Sequence, residues 1–234
     1  MHSFRPILSL VLFGLLAGCA STQSRLADSA RDSGEKVRGT VVLIEPDIEL
    51  SEVTAGGSQQ PRADWTAQAR AELPPALRRR LSAGSTVELA AYEVPDDLPA
   101  GDPVRQLLHL HRAVGYSILR HGYGIGRLPS KGDTFDWTLG DGVRVLGAAS
   151  KADYALFVTI RDSYTSSGRV ALMVVGALVG VGMSGGVQTG FASLVDLRDG
   201  RVVWFNTLVD QRGDLRDAAG ADVTARKLLE GFPL

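Results

Sequence analysis

The chain carries a single cysteine, Cys19, directly behind an apolar run near its amino terminus. One cysteine cannot close an intrachain disulfide, so a disulfide-stapled scaffold is closed to this sequence. A packed core has to hold the fold, and 234 residues suffice for one substantial domain. The apolar run follows Met1-His2-Ser3-Phe4-Arg5-Pro6 and extends from Ile7 to Leu16, interrupted only by Ser9 and Gly14. A spanning helix needs about 20 apolar residues, and this stretch falls short. A positive start, a short apolar stretch and small residues before a cut site make a signal-peptide pattern.

Leu16-Ala17-Gly18-Cys19 resembles the lipobox of bacterial lipoproteins. The resemblance implies cleavage between Gly18 and Cys19, diacylglycerol on the Cys19 thiol, and acylation of the new amine. Only a cysteine supplies the thiolate for the thioether. Several acyl chains give stable anchoring, at about 0.8 kcal/mol per buried CH₂. Ala20 follows, where an aspartate would signal inner-membrane retention, so the resemblance implies the periplasmic face of the outer membrane. Ser21 to Lys36 is polar and reads as a flexible tether. The expected organisation is a signal peptide over 1–18, a lipidated flexible tether over 19–38 and a periplasmic α/β domain over 39–234.

Charge narrows the partners. The formal net charge is −1, so no global basic field recruits nucleic acid, and no nucleic-acid partner is expected. Hydrophobic residues make up 44% and charged residues 22%, an ordinary globular balance.

Val41-Val42-Leu43-Ile44, ended by Glu45-Pro46-Asp47, reads as a buried strand, and the alternation from Ile48 to Val53 extends it. Trp65, Ala69, Leu73, Leu77 and Leu81 recur every four residues after Asp64, which predicts a helix over 65–81. Pro74-Pro75 predicts a kink or break within it. Ser85 to Tyr92 reads as a second strand and Val104 to Leu119 as a helix, with a glycine-rich loop from Gly122 to Lys131. A further helix is expected over 137–150. Ala152 to Ile160 is the clearest strand. Gln188 to Leu197 and Arg201 to Val209 form a hairpin around Asp199-Gly200. In its second arm Val202, Trp204, Asn206 and Leu208 are expected to face opposite to Val203, Phe205 and Val209. Val223 to Leu229 closes the chain as a short helix. The expected class is α/β: a mixed sheet with packed helices, a C-terminal β-hairpin and a short final helix, behind the signal peptide and tether.

Three stretches carry a family resemblance: Val41-Val42-Leu43-Ile44-Glu45-Pro46, Lys151-Ala152-Asp153-Tyr154-Ala155-Leu156, and Ala192 to Trp204 with Asp199-Gly200 at its turn. Together they resemble the periplasmic α/β domain of the TolB amino-terminal domain, the curli-secretion lipoprotein and the penicillin-binding-protein activator lipoproteins. The element order carries the resemblance over residues 40 to 230. The sequence departs from that pattern at Asp97 to Asp136 and in the apolar glycine-rich run before the hairpin. Members differ in role, so the resemblance implies a fold and an envelope setting rather than an activity.

Val170 to Met183 is uncharged and punctuated by Gly176 and Gly180. Gly176-x-x-x-Gly180 matches the small-residue spacing that lets helices approach closely. Four readings stand: a buried helix or strand-loop, a membrane-touching segment, a surface that packs on a partner or on copies of the chain, and a phosphate-cradling loop. No Lys-Ser/Thr pair follows the glycines, which weighs against the last. Val174, Gly176, Gly180 and Met183 are the candidates for partner contact.

Chemistry-bearing residues are sparse. His109 and His111 point about 200° apart on a helix and cannot share a metal there. His121 adds a third imidazole without a supporting motif. Asp133, Asp136 and Asp141 lack calcium-loop spacing. Asp162 to Ser167 reads as a solvated hydroxyl-rich loop ending a strand. No catalytic residue, metal site or cofactor is expected. The sequence therefore points to a non-enzymatic, lipid-anchored envelope protein acting as an accessory or assembly factor through protein–protein contacts. An oligomeric outer-membrane export component and a periplasmic hydrolase are the alternatives.

Overall fold

The structure, a computed structural model, describes residues 21–28, 38–83, 87–90, 92–95, 97–124, 126, 128–211 and 213–233. The expected signal peptide, with Gly18, Cys19 and residues 29–37 of the expected tether, lies outside the described residues.

One long strand organises the sheet. β6 (Tyr154–Thr165) is a 12-residue run whose side chains are buried over most of its length. β7 (Gln188–Asp196) and β8 (Val202–Asp210) add to one edge as an antiparallel hairpin. The other edge of β6 takes two short parallel strands end to end, β2 (Thr40–Leu43) and β3 (Asp47–Val53). β5 (Glu88–Ala90) continues beyond β2, and β4 (Gln59–Pro61) beyond β3. The result is a mixed eight-stranded sheet.

Between β2 and β3, Ile44, Glu45 and Pro46 stand opposite only Phe157 and Val158, a one-residue bulge. Pro46 has no N–H to give to the ladder, so a bulge is where it fits. The bulge also switches parity. Val41 and Leu43 face one side of the sheet, and past Pro46 Ile48 and Leu50 face that same side.

Helices cover both faces. α1 (Ala63–Ala83) and α5 (Ala218–Leu228) pack over one, where Leu73, Leu77, Leu156, Leu194, Trp204 and Leu228 meet. α2 (Pro103–Ile118) and α3 (Arg144–Ser150) pack over the other, with Leu107, Leu146, Phe157, Phe191 and Phe205. The helix starts are capped as their sequences direct. Asp102 accepts from the Val104 and Arg105 amides with Pro103 behind it, and Asp217 accepts from Gly220.

Several expectations need correction. Ser21 to Leu26 is no tether: it forms edge strand β1 (Ser21–Leu26), antiparallel to β8. α1 runs unbroken through Pro74-Pro75. Each of the two helix-interior prolines costs roughly 3 kcal/mol. Leu73, Leu77 and Leu81 are fully buried, each stabilising by about 1.5–3 kcal/mol, and together they offset that cost. The helix expected over 137–150 starts only with a 3₁₀ turn at Asp141–Val143, because Trp137 to Leu139 bonds instead to the hairpin around Gly200–Val202. α5 starts five residues before Val223, at Ala218. In β8 a bulge opposite Leu194/Val195 places Val202 with Phe205 and Val203 with Trp204, so the expected alternation fails at that end.

Candidate contact surface

The connection from β6 to β7 leaves the sheet. Ser166 caps α4 (Ser167–Leu178) by accepting from the Arg169 amide. The chain turns at Gly180, whose φ of 77° suits glycine, and runs back alongside the helix. Three contacts hold the return segment. The Val181 amide donates to the Gly176 carbonyl at 2.8 Å, the Arg169 guanidinium donates to the Ser184 carbonyl at 2.8 and 3.0 Å, and the Gly186 amide donates to Thr165 Oγ1 at 2.7 Å. A Cβ at Gly176 would sit 2.9 Å from Met183 Cε and 3.0 Å from the Val181 carbonyl oxygen, so only glycine lets the two arms close.

This protrusion is apolar and exposed. Val174 and Val175 are each 58% exposed, Leu178 83% and Val179 72%, with Val170, Leu172 and Val181 also open. Of the readings of Val170 to Met183, the buried one is thereby overturned, because only Gly176 on α4 is buried. The structure brings Gly176 and Met183 together, turns Val174 outward, and leaves Gly180 in open space at the tip. The glycine spacing serves closure onto the chain's own return segment, not onto a second helix. Among the described residues, no helix is long and apolar enough to cross a membrane.

A buried polar network secures the foot. Asp162 and Gln188 pair across β6 and β7. Gln188 Nε2 donates to Asp162 Oδ2 at 2.8 Å, the Tyr164 hydroxyl donates to the same oxygen at 2.5 Å, and Thr224 donates to Gln188 Oε1 at 3.1 Å. The Leu215 amide in turn donates to the Tyr164 oxygen at 2.7 Å. Burial holds the Asp162 carboxyl up to about 6 against the pull of these donors. The stretch read as a solvated loop is thus strand, with Asp162 and Ser163 buried. Sequence reasoning missed this network because it joins three segments far apart in the chain. Arg216 lies over the Tyr164 ring at 3.9 Å and pairs with Asp214 at 2.7 Å, closing the network toward solvent.

The histidines divide. His111 is buried, stacks on Phe157 with centroids 4.1 Å apart, and shares a 2.6 Å hydrogen bond with Ser193 Oγ. Burial lowers its pKa to about 3, so it is neutral. His109 is exposed beside Arg112 at 3.1 Å. His121 bonds the Gly126 carbonyl. Among the described residues no group of three or more His, Cys, Asp or Glu is placed to hold a metal ion. Asp133, Asp136 and Asp141 do not converge: Asp136 pairs with Lys131 and Asp141 with Arg144. A cleft of about 560 Å³ lies between the ends of α1 and α5 and is lined by Leu81, Leu229 and Phe232 beneath Arg80 and Arg226.

No family model matches the chain, and no curated protein does. Among solved structures, the chain is similar to the PelC dodecamer from Paraburkholderia phytofirmans, at 13% identity and a TM-score of 0.41, over 92% of this chain and 98% of that one. It is also similar to lipoprotein GNA1162 from Neisseria meningitidis, at 13% identity and a TM-score of 0.29, over 82% of this chain and 95% of that one.

Proposed function

We propose that the chain is a lipid-anchored cell-envelope protein, held at the outer membrane through Cys19, that works as a non-enzymatic accessory or assembly factor by surface contact. The α4 protrusion carries the reading. Soluble monomers rarely leave a contiguous apolar patch open, and such patches mark protein or membrane contacts. Leu178 at 83% and Val179 at 72% exposure are large aliphatic groups that gain by being covered. The lipobox-like Leu16-Ala17-Gly18-Cys19 supplies the setting.

The test compares wild type with Cys19→Ser. Acyl mass on wild type, recovery in outer-membrane fractions, and release of Cys19→Ser into the soluble fraction are expected. Identical fractionation of the two without acyl mass overturns the anchor. Chemical crosslinking in intact membranes then reads the contact: wild type gives a crosslinked product that Leu172→Asp loses.

A further inference from the structure

We infer that the tip of the protrusion, residues 178–181, rests in the headgroup–acyl boundary of the bilayer that holds the Cys19 lipid. This deepens the proposed function by naming what covers the tip, and it rests on the reading of Cys19 as the anchor.

The sheet register supplies the first argument. Ser21 pairs with Val209, Val209 with Thr189, and Thr189 with Arg161, one row across four strands. The protrusion leaves β6 after Thr165 and rejoins at Gln188, just beyond that row. Cys19 precedes Ser21 by two residues, a reach of about 7 Å. From β1 to β7 is two strand spacings, about 10 Å. Ser21, two residues after Cys19 in the sequence, and the foot of the protrusion therefore share one end of the sheet. The β7–β8 turn at Asp199-Gly200 and the end of α1 lie at the other.

Composition and exposure supply the second. From Val170 to Leu194 the sequence holds no charged residue. The exposed Val170, Leu172, Val174, Val175 and Leu178 spread over roughly 200° of the helix surface. Exposure rises toward the tip, to 83% at Leu178 and 72% at Val179, so the most open apolar groups are the ones farthest from the sheet.

Depth follows from length and backbone. Twelve residues make a helix of about 18 Å, short of the roughly 30 Å hydrocarbon core. The return segment from Val181 to Val187 is not helical, and irregular backbone does not lie exposed to hydrocarbon. An insertion of about 5–10 Å places the Leu178, Val179 and Val181 side chains against the upper acyl carbons and keeps the irregular backbone at the headgroup level. Val170 and Leu172, nearer the foot, stay outside the bilayer and remain open to a neighbouring protein.

Tryptophan at the tip tests this. Full-length protein purified from membranes, carrying Leu178→Trp, is reconstituted in phosphatidylcholine vesicles with or without bromine on the acyl chains. Ala83→Trp, exposed at the far end of α1, is the control, and the three native tryptophans are a common background. The added tip fluorescence is expected to be blue-shifted and to fall by about half in brominated vesicles, with the control unchanged. Equal response of the two variants overturns the inference. So does a blue shift that persists in detergent without bromine quenching, because the tip is then covered by protein. Acyl mass is read on the same sample. Its absence overturns the anchor reading, while quenching reports bilayer contact of the tip directly, so the two failures are told apart.

Discussion

Asp162 and Gln188 face each other across β6 and β7, joined by a 2.8 Å hydrogen bond at the two positions that bracket the protrusion. The Asp162 carboxyl is 2% exposed and its pKa stands near 6, with burial the main cause. The unfolded value is near 3.8, so between the two values the folded state holds the extra proton. This group's contribution is therefore greatest below about pH 4, falls as pH rises toward 6, and stays at the lower level above. Asp162→Asn keeps an acceptor for Tyr164 and Gln188 and removes the buried charge. It is expected to stabilise the protein at pH 7.5 by up to about 3 kcal/mol and to leave it little changed at pH 4. Urea unfolding at both pH values measures this.

His111 gives the opposite slope. Its imidazole is neutral in the fold with a pKa near 3, while the unfolded chain takes up a proton below about 6.5. Its contribution is fully present above 6.5 and is lost as pH falls through that window. His111→Phe keeps a ring against Phe157 and leaves Ser193 Oγ without this partner, costing about 1–3 kcal/mol at pH 7.5. Its stability is expected to fall less than wild type between pH 6.5 and 5, measured by the same unfolding curves.

Gly176→Leu separates the protrusion from the core. The new side chain meets Met183 and the Val181 carbonyl, so the return segment must lift and the Val181–Gly176 hydrogen bond breaks. Limited proteolysis is expected to cut residues 179–187 faster. Global stability by thermal unfolding should change by less than about 1 kcal/mol, because the altered contacts lie outside both core clusters.

Asn206 ties the sheet to the last helix. Its side-chain amide donates to the Lys227 and Leu228 carbonyls at 2.8 and 2.9 Å, satisfying two groups at the end of α5. Asn206→Ala is expected to cost about 2 kcal/mol, read by thermal unfolding. Amide exchange should quicken at the end of α5 before the sheet.

The elements with strong local patterns were legible in the sequence. The β6 run, the hairpin at Asp199-Gly200 and the Trp65-to-Leu81 period all mark real elements, and the mixed α/β class follows from their order. The misses share a physical cause. Pro74-Pro75 argues locally for a break, and the buried leucines of α1 override it. Trp137 to Leu139 favours helix on its own and is taken by hydrogen bonds to Gly200 and Val202. The apolar run from Val170 was legible as unusual, but its exposure depends on where β6 ends. The Asp162 network could not be read, since nothing local links Asp162 to Thr224.

Strand β1 is the first strand to be made and pairs with β8, the last. Closing so distant a pairing carries a large loop entropy, so β1 docks late, after the hairpin has formed. Until then the segment must stand in water as a bare strand without seeding association. Ser-Thr-Gln-Ser-Arg is a sequence suited to that wait, polar enough to stay solvated and extended enough to pair when its partner arrives. The polarity that makes the segment read as a tether is what lets the chain leave its sheet unfinished until synthesis is over.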